Sequence, residues 1–233
     1  MFKYQTTAFP NSFAADWIDS LPNECLEKYA IRFAGAIRQE LSNRPPTAII
    51  VCGLSLGGMV APYVARELGA SGCILLATIC KPSQFPRRYY ALWRLMQLCP
   101  PLRLILLFFI RWSVRFLLYF PWFVRCFANP DVVRSVIEMP FFCLSGLFRM
   151  MFDWAYHSRS LEENVGKIFN KPVLHVHGTN DWLLPIRRTN PDIRIESGGH
   201  ELVLTHPEKI NGIIERFVVE IESTPVANTR IYD

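Results

Sequence analysis

The fifty residues from Lys81 to Pro130 contain neither aspartate nor glutamate, yet eight basic residues fall among them: Lys81, Arg87, Arg88, Arg94, Arg103, Arg111, Arg115 and Arg125. The whole chain carries +5, so the remaining residues sum to −3 and the basic charge is confined to one segment. That segment is interleaved with Trp, Phe, Tyr and Leu. It suits an anionic, greasy surface such as lipid headgroups better than a nucleic-acid groove, which needs more polar residues among its charges.

No CxxC pair occurs. The seven cysteines, Cys25, Cys52, Cys73, Cys80, Cys99, Cys126 and Cys143, are odd in number, widely spaced and mostly set among apolar neighbours. This excludes a disulfide framework and a zinc site, and predicts reduced, buried thiols in a cytosolic protein. The N-terminal MFKYQTTAFPNSFAADW lacks a continuous apolar stretch after a basic start, which argues against a secretory signal. The expected location is the cytoplasm, with membrane association through the basic segment as an addition. An uninterrupted membrane span is missing too. Leu102 to Phe120 is 19 residues long but holds Arg103, Arg111 and Arg115. The last two are central, and each costs ~2.5–3.5 kcal/mol on insertion scales. Three readings of the segment stand: a cap helix buried on a core, an interfacial helix on lipid, or a span.

What is present is enough apolar residue, 51% of 233, to build one globular core. Thr47 to Cys52 (TAIIVC) follows two prolines and precedes Gly53, the pattern of a buried strand. GLSLGG and the helically spaced MVAPYVARELGA follow it, with Gly69 as a stop. Gly72–Thr78, Pro172–Val176 and Asp192–Ile195 read as three further strands. Pro207–Glu222 reads as an amphipathic helix with Ile210, Ile213, Ile214, Phe217 and Val218 on one face. Strands alternating with helices predict an α/β fold with a mostly parallel sheet flanked by helices. The core takes residues 1–80 and 166–222, a proline-punctuated helical cap takes 81–165, and 223–233 form a tail.

G-x-S-x-G appears as Gly53-Leu54-Ser55-Leu56-Gly57, between a strand and a helix. A serine on such a turn is held in strained geometry over the end of the sheet. Small residues are expected at Gly53 and Gly57, where a Cβ would clash, and the Leu56 N–H is placed to receive an oxyanion. A serine hydroxyl is a poor nucleophile until a base takes its proton, so a histidine oriented by a carboxylate must follow. Asp181, in the loop His177-Gly178-Thr179-Asn180-Asp181, and His200, after Ser-Gly-Gly, both come just beyond strands, where ligands and catalytic groups collect in open α/β sheets. His157, in the cap, His175, inside a strand, and His206, before Pro207, read as structural. His177 reads as stabilising a turn. Asp153, in the cap, and Asp192, at a strand start, are the lesser acids. No metal site and no organic cofactor is called for.

GLSLGGMVA, HGTNDWLLP and GGHELVLTHPEKI, in this order around a helical insertion, resemble the nucleophile elbow, acid loop and histidine loop of α/β-hydrolase-fold proteins. The resemblance covers residues 1–80 and 165–220. It implies the triad roles for Ser55, Asp181 and His200 and a variable cap between them. In one respect the chain departs from the family. MFKYQTTAFPN resembles the helix after the upstream oxyanion loop and SFAADWI the next strand, while the strand and loop that give the second oxyanion donor are not found before Ser55. The departure implies either a start upstream of Met1 or a decayed paralogue. The expected function is a serine hydrolase of the esterase or lipase kind acting on a small-molecule ester or related acyl bond of apolar character. The alternative is a weakly active or non-catalytic protein of the same fold that binds an apolar ligand or a membrane surface.

Overall fold

The computed structural model describes residues 1–42, 46–98, 101, 105, 108, 109, 112, 141–157 and 165–223. Four parallel strands form one sheet in the order β1 (Ile50–Leu54), β2 (Gly72–Leu76), β3 (Val173–Gly178), β4 (Ile193–Ile195). In register, Ile50 faces Gly72, Cys73 faces Val173 and Val176 faces Ile193. Parallel neighbours need crossovers. Helix α3 (Leu56–Leu68) makes the first of them, between β1 and β2.

Successive residues of β2 point to opposite faces. Ile74 and Leu76 pack with Ile210, Ile213 and Phe217, whereas Cys73 and Leu75 pack with Ala61, Ala65 and Phe169. The first face is covered by α1 (Lys3–Ala8), α7 (Leu202–Thr205) and α8 (Pro207–Ser223). Buried Gln5 ties α1 to them by donating to the Val203 carbonyl and the Asn211 side chain. The other side carries α2 (Leu26–Leu41), whose buried residues Leu26, Tyr29, Ala30, Phe33 and Ala34 recur at helical spacing against α3.

α3 forms against its local propensity. Gly57, Gly58 and the interior Pro62 cost about 1, 1 and 3 kcal/mol. Met59, Val60 and Val64 are almost fully buried, at roughly 1.5–3 kcal/mol each, and buried Tyr63 adds to them, so packing wins. Gly69, at φ 66°, ends the helix in the left-handed conformation, its N–H turned back to the Ala65 and Arg66 carbonyls.

The described part of the 81–165 insertion is helical: two 3₁₀ turns (Pro82–Gln84, Arg87–Tyr89), α4 (Tyr90–Leu98) and α5 (Phe141–His157), followed by α6 (Val165–Ile168). Phe85, Trp93, Leu147, Met150 and Phe152 join the core cluster of α2 and α3. Most of Leu102–Phe120, and the tail beyond Ser223, lie outside the described residues. Among the described residues no helix is long and apolar enough to cross a membrane.

Four expectations change. SFAADWI forms no strand, since among the described residues β1 pairs only with β2. β1 begins three residues later than the TAIIVC run and continues through Gly53 and Leu54, because those two pair with Leu75 and Leu76. β3 likewise takes in His177 and Gly178, opposite Arg194 and Ile195. Of the described cysteines, Cys73 is buried, Cys52 and Cys80 are half-buried, and Cys25 is exposed at the start of α2. The expectation of buried thiols therefore fails at Cys25.

Candidate active site

β1 ends at Leu54, and the next residue, Ser55, takes φ 56° and ψ −120° before α3 begins. A side-chain-bearing residue is uncommon there and persists only when its surroundings over-determine it. Here the Ser55 N–H donates to the Leu76 carbonyl at 2.9 Å. The Ser55 carbonyl accepts from Gly58 N–H (2.9 Å), Met59 N–H (3.3 Å) and the Thr78 hydroxyl (2.6 Å). Thr78 reaches it because Ala77, at φ 44°, turns the chain after β2.

The need for small residues falls on Gly53 and Gly58. A Cβ at Gly53 would meet the Gly57 carbonyl carbon at 2.5 Å and Ala61 Cβ at 2.8 Å, and one at Gly58 would meet Thr78 Cγ2 at 2.5 Å. At Gly57 it would find only the Trp17 ring at 3.9 Å, an ordinary contact. The requirement expected at Gly57 therefore belongs to Gly58, because the helix turns Gly57 away from the sheet. Leu56 opens α3, so its N–H lies among the first-turn donors with no intrahelical carbonyl to bond.

The three residues singled out in sequence meet. Ser55 Oγ lies 2.8 Å from His200 Nε2, and His200 Nδ1 lies 2.8 Å from Asp181 Oδ2. The carboxylate can only accept, so Nδ1 of His200 carries the proton and Nε2 is free to take that of Ser55. The Asp181 side chain is fully buried and that of His200 is 12% exposed. The other Asp181 oxygen accepts from Leu183 N–H (2.9 Å) and Leu184 N–H (2.8 Å). Burial pushes this carboxyl up. Hydrogen bonds from His177, His200 and the Leu184 backbone outweigh it and hold Asp181 well below the usual carboxylate range.

The acid and histidine loops are locked together. Asn180 N–H donates to the Gly198 carbonyl (2.9 Å), and Ser197 N–H to the Thr179 hydroxyl (3.0 Å). A Cβ on Gly178 would run into the Gly198 carbonyl carbon at 2.5 Å. The 81–165 insertion takes hold of the same acid loop. Arg88 donates to the Trp182 and Leu183 carbonyls, and the Tyr89 hydroxyl to the Leu183 carbonyl at 3.2 Å.

His177 was read as a turn residue, but it is the last-but-one residue of β3, wholly buried, and touches the acid directly. Its Nε2 lies 2.8 Å from the Leu184 carbonyl and 3.3 Å from Asp181 Oδ2. A carbonyl cannot donate, so Nε2 carries the proton. His177 Nδ1 faces His175 Nε2 at 3.4 Å, whose own proton is fixed by the Thr78 carbonyl at 3.1 Å. His175 Nδ1 is then left to accept from the Cys80 thiol at 3.5 Å. Burial, and then the neighbouring His177, push His175 down to about 4. The sequence signal for His177 was its spacing of four from Asp181 across HGTND.

The rivals are occupied elsewhere. Asp192 accepts the backbone N–H of His175 at 2.7 Å, and Asp153 accepts from Trp93, Gln97 and Arg149. His157 closes α5, and His206 bonds the Thr205 hydroxyl at 2.9 Å. Among the described residues no group of three or more His, Cys, Asp or Glu is placed to hold a metal.

Solved structures share this architecture. A hydrolase from Pseudomonas aeruginosa PA01 superposes with a TM-score of 0.61 at 17% identity, over 94% of this chain and 84% of that one. A bromoperoxidase from Bacillus anthracis gives 0.56 at 16%, over 93% and 86%. The N-acyl homoserine lactonase AidH, complexed with N-butanoyl homoserine, gives 0.55 at 14%, over 88% and 73%. At these identities the likeness is one of fold. A comparison with curated proteins gives no match by sequence. The sequence pattern of the alpha/beta hydrolase family matches residues 9–213, a stretch that takes in the elbow, the acid loop and the histidine loop, and the chain belongs to that family.

Proposed function

We propose that this protein is a serine hydrolase that cleaves a carboxylic ester or a related acyl bond. Ser55 Oγ attacks the acyl carbon as His200 Nε2 takes its proton. Asp181 holds the imidazole in the required tautomer and stabilises the imidazolium, and the Leu56 N–H at the head of α3 helps hold the oxyanion. The imidazolium then protonates the leaving alcohol. Water, deprotonated by the same imidazole, releases the acid and restores Ser55. No step requires a metal or organic cofactor.

One observation carries the reading: the unbroken line from Ser55 Oγ to His200 to Asp181, with both links at 2.8 Å. A packing role alone would not require a strained serine at the end of a strand with its hydroxyl aimed at a histidine. The apolar side chains of Trp17 and Leu56 border the elbow, which favours an apolar acyl group.

A chain-length series of p-nitrophenyl esters tests this. Turnover that rises from acetate towards longer acyl chains and is absent in Ser55→Ala is expected. Hydrolysis that survives unchanged in Ser55→Ala would refute it.

A further inference from the structure

Among the described residues, several large apolar side chains of the 81–165 insertion are exposed. Ile105, Phe108, Phe109 and Trp112 are all helical and 50%, 62%, 57% and 57% exposed. Their spacing is i, i+3, i+4, i+7, so they lie along one helix face. In a helix that covers a core this is the stripe turned inward. Here it is exposed, and of the three readings of Leu102–Phe120 the one that buries the helix on the core does not hold for these four. Leu95 and Leu98 of α4, earlier in the same segment, are also exposed, at 50% and 77%.

The charge of the same segment selects the occupant. In sequence, the fifty residues from Lys81 to Pro130, which include these four, hold eight Lys and Arg and no acidic group, so the segment has no counter-charge of its own. Four large hydrophobes in a row present no hydrogen-bonding group that would fix the register of a protein partner, apart from the indole N–H of Trp112. A fluid layer needs no such register. Aromatic side chains also rest favourably at the boundary between headgroups and acyl chains, with basic residues beside them meeting the phosphates.

We propose that the cap face formed by Ile105, Phe108, Phe109 and Trp112 docks on an anionic lipid surface, held by these side chains and by the basic residues of the 81–130 segment. The cap also grips the acid loop through Arg88 and Tyr89, so docking would fix the hydrolase core close to the lipid. The inference rests on surface and charge alone and stands whether or not Ser55 is active.

Sedimentation with vesicles tests it on the whole chain. Pelleting with equimolar phosphatidylcholine and phosphatidylglycerol, little pelleting with phosphatidylcholine alone, and release as salt rises are expected. Phe108→Ser with Phe109→Ser should weaken anionic-vesicle binding by about tenfold or more. Val219→Ser, at an equally exposed position on α8, should leave it unchanged. The vesicle contrast is made on the unmodified chain and needs no variant to fold. Equal binding to both vesicles, or binding to neither, would overturn the proposal. So would a wild-type dimer in light scattering that the double substitution turns into a monomer, since a second copy would then cover the face.

Discussion

His177 and His200 converge on one oxygen of Asp181, their ring nitrogens 3.3 Å and 2.8 Å from Oδ2. Asp181 is therefore gripped from β3 and from the loop of His200, and in the proposed mechanism His177 positions it without touching a reacting atom. Replacing His177 by Leu removes a buried donor, leaves the Leu184 carbonyl unsatisfied and frees Asp181 to turn. The expected result is a fall in kcat of about 10–100-fold with KM little changed, by analogy with other outer supporting partners. His177→Gln keeps an N–H donor at similar reach and should restore most of it. If Leu and Gln behave alike in kcat and in the pH profile, His177 serves packing only.

Asp181→Asn should lower kcat by roughly 10⁴ and, because it also removes the buried carboxylate whose hydrogen bonds stabilise the fold, lower the thermal unfolding temperature while the circular-dichroism spectrum stays native. An asparagine amide facing His200 Nδ1 permits the wrong tautomer, which directs an N–H at Ser55. A loss of less than tenfold would remove Asp181 from the triad.

The steric claim at the elbow separates two neighbouring glycines. Gly53→Ala forces a Cβ against the Gly57 backbone and Ala61, at an expected cost of about 1–3 kcal/mol with loss of activity. Gly57→Ala meets only the Trp17 ring and should fold as wild type. Denaturant titration distinguishes them, and equal midpoints would contradict the geometry.

His175 sets a pH dependence of stability. Its folded value of about 4 lies below the ordinary 6.5, so the unfolded chain binds the proton first as pH falls. The contribution is fully present above about pH 6.5 and is lost as pH drops towards 4, on the order of 3 kcal/mol if this group acts alone. His175→Gln cannot protonate and should flatten that part of the curve. Asp181 acts lower: its carboxylate contribution is present above the ordinary carboxylate range and is lost only in stronger acid. A melting temperature for His175→Gln that falls as steeply as wild type between pH 6.5 and 4 would refute the assignment.

The sheet was legible because its strands are short apolar runs punctuated by Gly and Pro, and Ser55, Asp181 and His200 because each follows such a run. Other features depend on which residues pair across strands, and periodicity does not encode that. β1 reaches Leu54 because β2 lies beside it, and Gly58 needs to be small because Thr78 sits opposite. SFAADWI has the composition of a strand, but among the described residues no strand pairs with it, and Trp17 packs instead on Tyr29 and Phe33 of α2. His177 sat before a glycine and was read locally, although its partners are Asp181 and Leu184. Of the three readings of Leu102–Phe120, burial on the core does not hold at Ile105, Phe108, Phe109 and Trp112, because helical spacing fixes which residues share a face but not what the face meets.

The most direct test of an activated serine is intact-mass detection of the adduct with an alkyl fluorophosphonate. An activated Ser55 gives one adduct on the wild-type chain, none on Ser55→Ala and strongly slowed labelling of His200→Ala. An unlabelled wild-type chain, or an adduct that persists in Ser55→Ala, would rule out Ser55 as the nucleophile.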